Sequence, residues 1–251
     1  MKINVLLSCD ENPYYFDFWE QTRNIWEKRM GIDPKLIFIN SERQTEDFED
    51  GILYIKKLDK YPIHLQAQLA RLYFAQNFEN EICLASDIDM FPVSREFFDV
   101  EKIVKNCDKN TFFHLNPERR EFGQLPICYY CGYGSLFKQL FDNMSWEEFL
   151  EFIVNKDFNT DKFNFKLPPH LADKKLWFSD EIFIFSSILD HDIKIIGNDK
   201  TIHPAQRLDR EGIMSVNYFS LMNDSIVDVH LPRPYEEYKG YIDKIYDTLM
   251  V

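Results

Sequence analysis

The sequence predicts an α/β fold in which a mostly parallel central sheet is flanked by helices. Three observations carry that expectation. Short apolar runs alternate with longer stretches whose apolar residues recur at helical spacing, and the short runs are apolar at most positions, as strands covered on both faces must be. The chain has 251 residues, enough to bury one large core without disulfide or metal staples.

The elements follow in order. Residues 3–9 form an apolar run closed by Asp10-Glu11-Asn12-Pro13, a strand and its turn. Residues 16–30 place Phe16, Trp19, Ile25 and Trp26 at helical spacing before Gly31, which predicts a helix. Residues 36–39 and 52–55 are β-type runs separated by the polar stretch 41–50. Residues 63–78 are amphipathic, with Leu65, Leu69, Leu72 and Phe78 on one side, and a strand at 81–86 follows at once. The first 100 residues thus have a doubly wound pattern. Beyond Asp87-Ile88-Asp89 come a helix near 96–105, a strand at 111–115 and a β-type run at 127–133. Ser145 with Glu148 three residues on is a capping box opening a helix to about 153. Residues 155–175 lose periodicity around Pro168-Pro169 and read as an excursion near an active-site rim. A helix at 179–189, a strand at 193–196 and a last helix at about 235–250, after Pro232 and Pro234, complete the chain. With no internal repeat or low-complexity linker, residues 1–251 read as a single domain.

Composition limits the function. Asp and Glu number 42 against 29 Lys and Arg, a net charge of −13, so the long-range field repels phosphate backbones and anionic lipid and disfavours nucleic-acid and membrane-surface roles. Aromatic residues make up 16% of the chain, with 23 Phe and 13 Tyr against only 8 Gly, which argues for a packed core rather than disorder. The apolar stretch at 3–7 is too short for a signal-peptide core, and no run approaches 18 apolar residues, so no membrane span is expected. The five cysteines, Cys9, Cys83, Cys107, Cys128 and Cys131, are odd in number and scattered, as suits free thiols in a reducing cytoplasm.

The sharpest chemical feature is Leu84-Ala85-Ser86-Asp87-Ile88-Asp89, two carboxylates at i and i+2 leaving an apolar strand. Alternate residues of an extended chain face the same side, so Asp87 and Asp89 can converge on one cation. Hard oxygen ligands suit Mn²⁺ or Mg²⁺ bridging the phosphates of a nucleotide, and ligands of open α/β sheets bind beyond the carboxyl ends of strands. An Asp-x-Asp alone is common by chance in an acidic chain; the preceding strand is what gives it weight.

The segment Ile63-His64-Leu65-Gln66-Ala67-Gln68-Leu69-Ala70-Arg71-Leu72-Tyr73-Phe74, followed by Ile82 to Asp89, resembles the helix–strand–DxD core of the GT-A glycosyltransferases. The resemblance is to the glycogenin and bacterial lipopolysaccharide galactosyltransferase type, and it is good over roughly residues 3 to 100. It implies a GT-A fold with a nucleotide-binding half at 1–100, ending in the DxD, and an acceptor-binding half with the C-terminal helix at 101–251. It also implies hexosyl or pentosyl transfer from a nucleotide-diphosphate sugar to a hydroxyl of a glycan or other acceptor, with Mn²⁺ or Mg²⁺ held by Asp87 and Asp89. Arg71 stands sixteen residues before Asp87, where the family has an arginine that reaches the nucleotide-sugar. In Asp228-Val229-His230-Leu231-Pro232-Arg233-Pro234, His230 matches the family's third metal ligand and Arg233 its diphosphate contact, although the Gly and Lys that usually follow are missing.

Trp177-Phe178-Ser179-Asp180-Glu181 places two acids at a helix start. Acids there suit the helix dipole in any case. The resemblance implies instead either the base of an inverting transferase or a sugar-binding acid of a retaining one, with Asp180 the candidate and Glu181 beside it. The turn after the first strand is the implied nucleoside pocket, with Cys9 and Tyr14 as contacts and Tyr14 or Tyr15 stacking on the base. In Cys128-Tyr129-Tyr130-Cys131-Gly132-Tyr133-Gly134, zinc would need a second ligand pair of suitable spacing, which the chain lacks. The run reads as a strand, and the resemblance, in which an Asn-x-Gly-type strand faces the donor sugar and acceptor at this place, implies that Gly132 and Gly134 admit a ligand to the backbone and that Tyr129, Tyr130 and Tyr133 stack on sugar. His203 is a further polar candidate. Two alternatives stand beside the transferase: a haloacid-dehalogenase-like phosphatase, with Gly197-Asn198-Asp199 as its late acidic motif, and a catalytically inactive carbohydrate-binding module of the same fold. Against the phosphatase, that motif normally follows the first strand of the core, whereas here three strands and two helices precede it.

Overall fold

The structure, a computed structural model, describes residues 2–116, 126–141, 143–155, 176, 178–191, 193–197 and 206–251. The strands are β1 (Ile3–Asp10), β2 (Asp33–Asn40), β3 (Ile52–Lys56), β4 (Ile82–Ala85) and β5 (Met90–Pro92). They continue as β6 (Thr111–His114), β7 (Tyr130–Tyr133), β8 (Lys194–Gly197), β9 (Arg207–Leu208) and β10 (Asp228–His230). The helices are α1 (Trp19–Asn24), α2 (Ile63–Tyr73), α3 (Val100–Asn106) and α4 (Gly134–Leu140), then α5 (Trp146–Asn155), α6 (Ser179–Asp190), α7 (Tyr218–Met222) and α8 (Tyr235–Met250).

Seven strands form the central sheet in the order β3-β2-β1-β4-β7-β6-β8. Only β7 runs against the others, because it pairs antiparallel with both β4 and β6 while every other pairing is parallel. The mostly parallel α/β sheet expected from the sequence is therefore present. Its apolar strands alternate between two cores: Ile3, Val5, Leu7 and Cys9 of β1 with Ile82 and Leu84 of β4 face one, and Leu6 with Cys83 and Ala85 face the other. The first core is closed by Trp19, Ile25 and Trp26 and by Ile242, Ile245 and Leu249 of α8. The second is closed by Leu65, Leu69 and Leu72 of α2 and an aromatic cluster of Phe137, Phe149 and Phe183 from α4, α5 and α6.

Several boundaries differ from the sequence expectation. The helix expected over 16–30 is a tight turn at Phe16–Phe18, then α1, then a wider helical turn at Ile25–Arg29, ending at Gly31 with φ +68. Helix α3 starts four residues later than expected because Asp99 caps it, accepting from the Glu101 amide at 2.9 Å. The capping box of α5 is present, with the Ser145 amide donating to Glu148 at 2.8 Å and the Glu148 amide to Ser145 Oγ at 3.3 Å. The β-type run at 127–133 contributes only β7, and α4 begins immediately after it. The expected excursion at 155–175, apart from Asn155, lies outside the described residues.

A second, three-stranded sheet was not expected at all. Strand β10 pairs antiparallel with β5 and parallel with β9. The register sets His230 opposite Met90, which brings β10 alongside the residue that follows the Asp-x-Asp segment. No described helix is long and apolar enough to cross a membrane.

Candidate active site

The site is built where the sheet stops. The Ser86 amide makes the last bond to the sheet, donating to the Leu6 carbonyl at 3.1 Å, after which Asp87-Ile88-Asp89 leave it. Two buried bonds fix this departure: Thr22 Oγ1 donates to the Ile88 carbonyl at 2.8 Å, and the Leu231 amide to the Asp89 carbonyl at 2.8 Å. A cleft of about 310 Å³ opens there, walled by β1, α2, the start of α6 and the β10 end.

Asp87 faces Arg71, whose Nη1 pairs with its carboxylate and also donates to the Ser86 carbonyl at 2.8 Å. From the other side Cys128 Sγ donates to Asp87 Oδ2 at 3.2 Å. Arg71 is buried and lies 3.5 Å from Asp180 Oδ2 through its Nη2, so one guanidinium joins the two carboxylates. Asp89 Oδ2 is met by two guanidiniums and an imidazole: Arg210 Nη2 at 2.7 Å, Arg233 Nε at 3.3 Å and His230 Nε2 at 3.6 Å. Arg233 also donates to the Tyr15 hydroxyl and lies 4.9 Å from that ring.

Burial pushes both carboxyls of the pair upward, but Arg71 at Asp87, and His230 and Arg210 at Asp89, more than offset it and hold both below the usual carboxylate range. Asp180 responds in the opposite sense. Burial outweighs the pull of Arg71, with Asp87 adding repulsion, and its carboxyl is pushed up to about 6. Burial also raises Asp10, which lines the cleft at the end of β1, and raises the Cys9 thiol well above its ordinary value.

Of the residues singled out from the sequence, Arg71, Asp87, Asp89, Asp180, Glu181, His230, Arg233 and Cys9 all line this cleft. Tyr14 does not: it is 50% exposed outside the lining, and its neighbour Tyr15 takes the place. The tyrosines of the Cys-x-x-Cys run are displaced from their expected role. Tyr129 is fully buried and donates to Asp228 Oδ2 at 2.9 Å, and Tyr130 is buried with its ring 4.6 Å from Phe112. Tyr133 pairs with Ile82, at the opposite end of β4 from the carboxylates. Gly132 and Gly134 admit the chain itself rather than a ligand: a Cβ on Gly132 would meet the Phe112 ring at 2.3 Å, and one on Gly134 the Ala75 and Phe78 backbone at 2.5 Å. Cys128 and Cys131 are free, buried thiols. His203, Asn198 and Asp199 lie outside the described residues.

Four contributors were missed by the sequence reading: Arg210, Asp209, Cys128 as a donor to Asp87, and the buried anchor Asp228. Asp228 accepts from Arg207 Nε and Nη2, each at 2.7 Å, as well as from Tyr129, and so fixes β10 two residues before His230.

Whether these side chains suit a divalent ion can be judged from their chemistry. Among the described residues no three carboxylate, imidazole or thiol groups stand close enough to cage a metal. Yet His230 is arranged as a metal-binding imidazole would be. Its Nδ1 lies 3.0 Å from Asp209 Oδ1, an acceptor, and its Nε2 contacts Arg210 Nη2, a group that can only donate, so these two partners are matched by the tautomer with its proton on Nδ1 and a lone pair on Nε2. The group met by that lone pair is already a cation, Arg210 Nη2, which contacts His230 Nε2 and Asp89 Oδ2 together. Carboxylates and an imidazole are the ligand types that Mn²⁺ or Mg²⁺ takes, but as placed they do not close on an ion, and the position between Asp89 and His230 is filled by Arg210.

No protein-family model matches the chain, and no curated protein sequence matches it. Its fold is similar to several solved structures. One is a mutant of the Drosophila beta-1,4-galactosyltransferase 7 in complex with manganese, UDP-Gal and xylobiose (13% identity, TM-score 0.42, covering 80% of this chain and 66% of that one). Another is a glycosyltransferase involved in the glycosylation of the major capsid of PBCV-1 (10% identity, TM-score 0.45, covering all of both chains). A third is the apo-form glycosyltransferase GlyE of Streptococcus pneumoniae TIGR4 (13% identity, TM-score 0.47), where the match covers 98% of this chain but 62% of that one. At these identities and scores the likeness concerns the α/β architecture and assigns no activity.

Proposed function

We propose that this chain is a metal-dependent glycosyltransferase that moves a sugar from a nucleotide-diphosphate donor to a hydroxyl of a glycan or other acceptor. The observation that carries the reading is the meeting, in one cleft at the carboxyl end of β4, of Asp87, Asp89 and His230 with Arg71, Arg210 and Arg233. A lone carboxylate pair is a surface feature; a pair backed by three guanidiniums and an oriented imidazole is a device for binding charged phosphates.

Asp87, Asp89 and His230 would hold the ion, which when bound neutralises charge on the departing diphosphate. Arg71 holds Asp87 and Asp180 in one network, and Arg233 brings a second guanidinium to the phosphates. Asp180, with its carboxyl at about 6, is ionised at neutral pH yet still basic enough to take the proton of an attacking hydroxyl. Cys9 and Asp10 close the β1 side, where the nucleoside would lie.

Incubation with Mn²⁺ and a panel of nucleotide sugars, with measurement of released nucleoside diphosphate, tests the reading. Asp89→Ala is expected to lower turnover by at least 100-fold while circular dichroism is unchanged, a loss of about 3 kcal/mol of transition-state stabilisation. Release of inorganic phosphate from a sugar phosphate would identify a phosphatase instead, and donor binding without turnover a carbohydrate-binding module. Asp180→Asn separates two roles for that acid: a base loses kcat with KM unchanged, whereas a sugar anchor loses donor KM as well.

A further inference from the structure

Arg210 opens a tight helical turn, Arg210–Ser215, immediately after β9, and its guanidinium is divided between two tasks. Nε donates to the Leu231 carbonyl at 3.0 Å, a backbone bond that does not involve the carboxylates. Nη2 reaches Asp89 Oδ2 at 2.7 Å and the lone pair of His230 Nε2. That one nitrogen meets both groups that would ligate a divalent ion from this side, and a guanidinium and a metal cannot occupy the position together. Arg233 does not compete in this way: it touches Asp89 through Nε at 3.3 Å, and its Nη1 donates to the Tyr15 hydroxyl.

We propose that Arg210 is a resident cation of the metal position, which keeps Asp89 and His230 paired until donor and metal arrive and then turns its Nη groups to the diphosphate while Nε stays on Leu231. This rests on the transferase reading above. Two physical facts favour it. Five carboxylates line the cleft against three guanidiniums, so the position attracts a positive charge and is filled by the nearest tethered one. A guanidinium fork matches phosphate oxygens in pairs, so the diphosphate repays the bonds that Arg210 gives up. Mn²⁺ alone must displace Arg210 without that compensation, and it should therefore bind weakly.

Mn²⁺ alone, titrated into the full chain and followed by loss of the free-ion electron paramagnetic resonance signal, tests this directly. Arg210→Ala is expected to bind Mn²⁺ at least tenfold more tightly than the unchanged protein. Arg210→Gln keeps a donor for the Leu231 carbonyl without the charge, and should do the same if the alanine variant proves poorly folded. Adding Asp89→Asn to either variant should abolish the gain. Equal or weaker Mn²⁺ binding in both folded variants would overturn the role given to Arg210 and leave the metal-dependent reading standing. Absence of Mn²⁺ binding in all of these proteins, with uridine diphosphate present as well as without it, would overturn both.

Discussion

Asp180 lies 4% exposed at the start of α6, 3.5 Å from Arg71, and burial pushes its carboxyl from an ordinary 3.8 up to about 6. Between those two values the folded chain holds a proton that the unfolded chain has released, so stability falls as pH rises through the window, and the whole cost is present above it. Asp180→Asn fixes the uncharged form. Urea denaturation at pH 7.5 should show the variant more stable by about 1–3 kcal/mol, the gain shrinking to nothing near pH 4, while the proposed transferase activity is lost. A variant less stable at pH 7.5 would mean that the pairing with Arg71 outweighs the burial. Such residues were legible in the sequence to different degrees. Asp87 and Asp89 follow an apolar strand at a spacing of two, so local pattern suffices for them, whereas Arg71, one residue of an amphipathic helix, stands out only through the family resemblance. Arg210 and Cys128 reach the carboxylates only through the pairing of β5 with β10 and the approach of the segment before β7, and contacts between distant residues leave no mark in either local sequence. The misplacement at Tyr14 is of a different kind: a turn decides which of two adjacent tyrosines faces inward, and composition does not.

The elements fell into two groups by length. Strands β1, β2 and β4 contain four or more apolar residues each, and helices α2 and α8 are long enough for a period of 3.6 to show, whereas β5, β9 and β10 have two or three residues each and show neither. The small sheet that carries His230 was therefore hidden although its histidine was not. Helix α4 was masked in another way, because an aromatic strand runs directly into its first residue, Gly134. The glycines of that junction and of α8 give opposite expectations. A Cβ at Gly134 would lie 2.5 Å from backbone atoms of Ala75 and Phe78, which cannot rotate aside, so Gly134→Ala should cost about 1–3 kcal/mol, toward the upper end. Gly240 stands exposed within α8 with nothing within 4 Å of an added Cβ, and Gly240→Ala should gain about 0.5–1 kcal/mol from helix propensity. For a chain of this size Tm should move by about 2–4 °C per kcal/mol, down for the first and up for the second. A neutral Gly134→Ala would show that the junction yields, and a neutral Gly240→Ala that α8 frays there.

At the scale of the whole molecule, 42 acids against 29 bases set a field that opposes any phosphate ligand, and the cleft does not reverse it, since its five carboxylates outnumber its three guanidiniums. A bare nucleoside diphosphate must approach against repulsion at long range, and the attraction of Arg71, Arg210 and Arg233 acts only at contact, where those side chains are already engaged with carboxylates. On the proposed reading a divalent ion would change the balance on both sides, by cancelling two of the ligand's charges and by converting Asp87 and Asp89 from opponents into ligands. Salt distinguishes these situations, because the screening length falls from about 30 Å at 0.01 M to about 3 Å at 1 M. Stopped-flow association of a fluorescent nucleoside diphosphate should therefore speed up several-fold between low and high salt when a chelator is present. With Mn²⁺ present, its rate should stay within about twofold over the same range, and equilibrium affinity should be at least tenfold higher than in chelator. Association that slows as salt is added, with affinity untouched by chelator, would mean that the guanidiniums alone govern the cleft and that no metal is needed to bring the donor in.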